Sequence, residues 1–218
     1  MFPIGDDNSA RKIFPIVTYA LIALNVLFFF VELSGGDAFI EKWAFVPARF
    51  VANPVADSLT LFTAMFMHAG WLHLGGNMLY LWIFGDNVED RFGHVKFLVF
   101  YLVCGLAATF AQLVFNLEST IPNLGASGAV AGVLGAYILL LPQAKIKVLQ
   151  GQRVVQVPAL IVIGLWFVLQ FFSGVGSIAA TTTDTGGVAY MAHIGGFVAG
   201  FALTFLLRGS DPRHAANE

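Results

Sequence analysis

Five side chains in this sequence combine reactive chemistry with apolar surroundings: Ser127, His68, His73, Asn77 and His193. Ser127 lies in Gly-Ala-Ser-Gly-Ala-Val-Ala-Gly, residues 125–132, at the mouth of an uncharged run from Leu124 to Leu141. Two readings fit a serine held between Gly125 and Gly128. Small residues at a four-residue spacing, Gly128 and Gly132, let two membrane helices approach closely. Alternatively the serine is a nucleophile whose backbone a substrate must approach, and it then needs a base within hydrogen-bond reach.

His193 opens a second stretch of this kind, Ala-His-Ile-Gly-Gly-Phe-Val-Ala-Gly over 192–200, with Gly196 and Gly200 again four apart. Two glycine-faced helices can press together, each bringing one reactive residue. His73 and Asn77, also four apart, share a helix face. Both can donate hydrogen bonds into one space, either as glue between helices or to an oxyanion developing in acyl transfer. His68 and His73 are five apart, about 140° around a helix, whereas helical zinc pairs use a four-residue gap with a glutamate between. A metal site is therefore not expected. His68 reads as a buried histidine that ties loop backbone to the protein. No carboxylate is available at the depth of His193, and Asp184 lies in the preceding loop. The residues describe a dyad.

The elements that must carry these residues follow from composition. The 218 residues are 58% hydrophobic and 11% charged, against roughly 25% charged in soluble domains. This is a membrane composition, and its apolar spans make the expected fold all-α. The net charge of -2 is uninformative about nucleic acid, no basic tract points to it as a partner, and the single Cys104 excludes a disulfide framework. Six spans are expected: 13–31 (a retained first span, too long for a signal core), 70–88, 97–115, 124–141, 157–172 and 190–207. Residues 32–58 are expected to be a mixed interfacial loop, 59–67 to dip back into the protein, and 86–96 to be a charged loop. With the N-terminus inside, Arg11, Lys12, Arg91, Lys96, Lys145, Lys147, Arg153, Arg208 and Arg213 face the cytoplasm and only Lys42 and Arg49 face outward, which satisfies the positive-inside rule. The expected organisation is a cytoplasmic tail over 1–12, a six-span domain over 13–207 and a second cytoplasmic tail over 208–218. Ser127, His193, His73 and Asn77 then all fall within about 5–10 Å of the outer boundary, at about 1.5 Å rise per residue.

With HAGWLHLGGNM (68–78), FGDNVEDRFG (84–93), GASGAVAG (125–132) and AHIGGFVAG (192–200) in this order, the chain resembles the rhomboid family of intramembrane serine proteases over about residues 13–207. The resemblance implies a six-span bundle of the basic bacterial form, in a cell (inner) membrane, that hydrolyses peptide bonds in or beside transmembrane segments without metal, ATP or other cofactor. It implies Ser127 as nucleophile and His193 as general base. His73, Asn77 and the Ser127 backbone N–H would form the oxyanion hole, and His68 would be structural. Glu89 and Arg91 look like a structural pair, and the fifth span, with Trp166 and Phe167, looks like the movable side through which a substrate helix passes from the lipid bilayer. One departure concerns the base. Some relatives stack an aromatic residue, four positions after the serine, on the histidine, and that position is Ala131 here. A non-catalytic membrane-helix binding protein of the same fold would instead keep its function without Ser127. A transporter using the histidines as a proton path would need an inverted repeat or a broken midplane helix, and the sequence has neither.

Overall fold

The computed structural model describes residues 2–179 and 189–208, so Asp184 lies outside the described residues. Helices dominate: α1 (Ile16–Trp43), α2 (Pro47–Ala52), α3 (Pro54–Asp57), α4 (Thr60–Thr63), α5 (Trp71–Tyr80), α6 (Asp86–Phe92), α7 (His94–Phe115), α8 (Ser127–Leu140), α9 (Ala159–Ala179) and α10 (Tyr190–Leu207). Four segments are long and apolar enough to cross a membrane: Ile16–Trp43, His94–Phe115, Ala159–Gly176 and Tyr190–Leu207.

The other two expected spans are built differently. Residues 71–92 run as α5, a π turn (Leu81–Gly85) and α6, and the helix stops only at Gly93, φ 76°. The charged loop expected over 86–96 is thus helical to Phe92. Its carboxylates are not solvated; they are buried acceptors for the chain's N-terminal segment. Glu89 accepts from Val17 N at 2.9 Å and from Thr18 N and Oγ1, both at 2.7 Å. Asp90 accepts from Lys12 N and Ile13 N, and Asp86 pairs with Arg11 at 2.6 Å. Buried charges persist when hydrogen bonds satisfy them in this way. Glu89 also meets His94 Nδ1 at 2.6 Å, and among the described residues no ion pair joins it to Arg91.

The first helix also departs from expectation. It continues past Val31 to Trp43, interrupted at Gly36 (φ 58°, ψ −152°), so much of the expected 32–58 loop is helix. Glu32 belongs to this extension and, buried, accepts from His68 N at 2.9 Å. The 59–67 segment packs into the protein through Ala64, Met65 and Met67.

A three-stranded antiparallel sheet, ordered β1 (Phe2–Gly5), β2 (Lys145–Gln150), β3 (Arg153–Pro158), caps one end of the bundle. It corrects the purely helical expectation and moves the start of the fifth helix from 157 to Ala159. Lys-Ile-Lys-Val-Leu alternates in burial, with Ile146 and Val148 inside. Gly151, φ 62°, opens the two-residue turn into β3. This is hairpin chemistry.

At the centre stands α8, buried at every position from Gly128 to Tyr137. Its fourteen residues span about 21 Å, short of the roughly 30 Å of a hydrocarbon core, which an encased helix need not cross unaided. Against it lies α10, whose Gly196 and Gly200 approach so closely that a Cβ at either would strike the backbone of Gly128 or Gly132. At the same glycines α7 supplies Ala108 against Gly128 and Cys104 against Gly132. Small residues here bring three backbones together.

Candidate active site

Ser127 is the first residue of α8, where the helix's leading N–H groups have no partner within it. The chain reaches it through an extended segment pinned by long-range backbone bonds. Phe45 and Asn123 exchange N–H···O bonds (3.1 and 2.7 Å), Ala48 N donates to Ser119 O, and Gly125 N donates to Ala64 O at 2.9 Å. Gly125 has φ 136°, and a Cβ there would lie 2.9 Å from His73 Nε2. Both facts require glycine at this position.

Across from Ser127, the third residue before the Gly196 contact is His193, 9% exposed. Its Nε2 lies 2.8 Å from Ser127 Oγ. The glycine contacts fix α8 against α10, so this distance is set by the backbone packing of two helices. The other ring nitrogen, Nδ1, lies 2.7 Å from Gln170 Oε1 on α9. One turn earlier on α9, the Trp166 ring lies 5.8 Å from the imidazole, tilted 36°.

His73 and Asn77 project from one face of α5 into the same cavity as Ser127 and His193, a space of about 640 Å³ whose further walls include Tyr80, Leu134 and Trp166. Ala69 N donates to His73 Nδ1 at 3.3 Å. In a neutral imidazole this leaves the proton on Nε2, the nitrogen facing Gly125. Asn77 is 8% exposed, yet its Nδ2 has no hydrogen-bond partner among the described residues. A buried amide left without an acceptor is costly and is what a transient anion would satisfy. His68 stands behind, 1% exposed, with its ring edge-on to that of His73 at 5.2 Å.

The structure thus brings Ser127, His193, His73 and Asn77 around one cavity, with Gly125 and Gly128 clearing space for backbone and ring, and leaves His68 outside it. Two features escaped sequence reasoning. Gln170 is one amide inside a long apolar run, and its polarity was the available signal. The pairing of 44–48 with 119–125 is nonlocal and carries no local signature.

Comparison with known proteins follows the same outline. A rhomboid domain model matches residues 56–210. The chain is 33% identical over 193 residues to rhomboid protease GluP of Bacillus subtilis, covering 86% of this chain and 34% of that protein. It is 31% identical over 190 residues to rhomboid protein 1, mitochondrial, of Saccharomyces cerevisiae (84% and 51%), and 31% over 147 residues to RHOMBOID-like protein 6, mitochondrial, of Arabidopsis thaliana (67% and 43%). The chain therefore spans between about a third and a half of the length of these relatives.

Proposed function

The chain belongs to the rhomboid family, and we propose that it is an intramembrane serine endopeptidase that cuts membrane proteins in or beside a transmembrane segment. The observation that carries this reading is the 2.8 Å contact between Ser127 Oγ and His193 Nε2 at the wall of a cavity that also holds His73 and Asn77.

In the proposed reaction, Ser127 Oγ attacks the scissile carbonyl carbon while its proton passes to His193 Nε2. Negative charge gathers on the carbonyl oxygen, where His73 Nε2–H, Asn77 Nδ2 and the Ser127 N–H donate to it. Collapse of this intermediate breaks the C–N bond, and His193 returns its proton to the leaving amine. Water then attacks the acyl-enzyme by the same route, using the same base, and frees the carboxyl product. No step requires a metal.

The cavity is walled by α5 on one side and by Trp166 of α9 on the other, which supports lateral passage of a substrate helix between them. A helix presents no free carbonyl until it unwinds, so segments containing Gly, Pro or small residues are the expected substrates. We place the chain in the membrane as six spans with both termini inside. This orientation puts the basic residues of the sheet end (Lys145, Lys147 and Arg153 among them) in the cytoplasm and leaves Lys42 and Arg49 outside.

The test is cleavage of a reporter membrane helix in liposomes by the purified protein. Wild type is expected to cut, with chelator making no difference, while Ser127→Ala and His193→Ala do not. Equal cutting by all three, or none by wild type across several small-residue helices, would overturn the reading; the second result would favour a helix-binding role.

A further inference from the structure

Where some rhomboids carry an aromatic residue that stacks on the histidine, four positions after the serine, this chain has Ala131, so other side chains must position His193. A catalytic imidazole also needs a hydrogen-bond partner on its other nitrogen, because either nitrogen can carry its proton and only one arrangement makes a base. With the proton on Nδ1, Nε2 has a free lone pair for Ser127. With the proton on Nε2, the ring can only donate to Oγ.

We propose that Gln170 is the positioning residue that fixes this tautomer, and that it ties the competence of the base to the seating of α9; the proposal rests on the protease reading above. An amide oxygen can only accept. Gln170 Oε1, 2.7 Å from His193 Nδ1, therefore holds the ring proton on Nδ1 and leaves Nε2 open toward Ser127 Oγ at 2.8 Å. During attack the imidazole gains the serine proton on Nε2 and keeps its Nδ1–H, so the same oxygen steadies the imidazolium. Trp166, one turn away on the same helix, sets its ring 5.8 Å from the imidazole, tilted 36°. One element thus supplies both the hydrogen bond to the base and the aromatic ring beside it.

The placement of that element gives the contact a second meaning. Helix α9 meets the bundle along a single stripe: Ile163 is buried, Phe167 stacks on Phe197 at 4.3 Å, Gln170 reaches His193, and Gly174 abuts Met191. These positions recur at the spacing of one helix face, and Gln170 is the polar member of the stripe. The opposite face, including Leu165, Leu169 and Phe172, is exposed. Serine and base are held by glycine-to-glycine backbone contact, whereas the group that orients the base arrives on a helix attached along one stripe. A substrate helix that pushes α9 aside unfastens the imidazole, and reseating of α9 restores it. Cleavage then follows closure around the substrate and not the first opening.

The plain alternative is that Gln170 is interhelical glue, holding α9 in place. Two reactions separate these roles. A small soluble fluorophosphonate phosphonylates Ser127: the Oγ–P bond forms, P–F breaks, fluoride leaves and the serine proton goes to His193. Its reaction needs the base but not the opening of α9. The reporter helix needs both. Gln170→Met keeps the shape and removes the acceptor; Gln170→Glu keeps an acceptor oxygen. The expected result is that Gln170→Met slows phosphonylation and reporter kcat by the same factor, roughly 10²-fold and below the ~10⁴-fold cost of a fully wrong tautomer. Reporter KM should stay within about twofold, and Gln170→Glu should recover most of the rate. An unchanged kcat in Gln170→Met, a change confined to KM, or equal loss in the Met and Glu variants would overturn the proposal. With wild type cutting and Ser127→Ala inert, these outcomes leave the protease reading standing. An inert wild type would remove both.

Discussion

The two sides of the cavity are built on different principles. On one side α8 and α10 meet backbone to backbone through Gly128, Gly132, Gly196 and Gly200, α7 adds Ala108 and Cys104 against the first two, and a single added methyl has no room. On the other, Gly164 and Gly176 of α9 and Gly75 and Gly76 of α5 have nothing within 4 Å of where a Cβ would stand, and the nearest neighbours of Gly174 are side chains, those of Met191, Ile194 and Tyr190. The reactive pair belongs to the tight side. The cavity wall and the acceptor on His193 belong to the loose side. A protease working on membrane helices needs both properties: fixed geometry between nucleophile and base, and a wall that yields to a substrate.

The strongest way to break this contrast is to overfill the tight side. Gly200→Val drives a branched side chain into the backbone of Gly132 and is expected to abolish activity while lowering stability by about 3 kcal/mol or more, the upper range for overpacking, as read by thermal unfolding in detergent. Next comes the cavity itself. Asn77→Ala removes Nδ2, unpartnered among the described residues, and should lower kcat by about 10²–10³-fold, the scale of a lost oxyanion donor, with stability retained because that group has no hydrogen bond there to lose.

A third region sharpens the comparison because it should affect stability without touching chemistry. At the sheet end, Asp6 accepts from Tyr137 OH and Asn87 Nδ2, both at 2.7 Å. Burial, opposed by the Tyr137 hydrogen bond, raises its carboxyl from 3.8 to about 6. Between these values the folded protein holds a proton that the unfolded chain has released, so stability is greatest at low pH and falls as pH rises through this window. The difference in unfolding temperature between wild type and Asp6→Asn should change from about pH 4 to about pH 6 and then level off, while the ratio of their kcat values stays constant. The smallest effect belongs to the loose side. Gly164→Ala, into open space on α9, should leave cleavage intact and raise stability by about 0.4–1 kcal/mol through the unfolded chain.

These contrasts were unevenly legible in the sequence. The helices at 94–115 and 190–207 could be read to within a few residues because uncharged apolar runs leave a membrane chain few other conformations. The paired glycines announced that the helices carrying Ser127 and His193 press together, and Gly196 and Gly200 do meet Gly128 and Gly132. The hairpin at 145–158 was hidden by its charges: Lys145, Lys147 and Arg153 read as a basic loop, although Ile146 and Val148 alternate with them and Gly151 marks the turn. The acidic residues at 86–90 looked like solvent-facing charge because their partners, the backbone N–H groups of residues 12–18, lie more than seventy positions away. Gln170 was lost for a related reason. Its meaning depends on His193, 23 residues further on in another helix, and spacing along one helix carries no trace of that.

The central claim is that Ser127 is a nucleophile activated by His193, and covalent trapping tests it most directly. The protein in liposomes would be treated with the fluorophosphonate, digested and mapped by mass spectrometry. The account predicts a single adduct on Ser127, with no adduct in His193→Ala over the same time. An adduct at another residue, or equal labelling of Ser127 without His193, would contradict it.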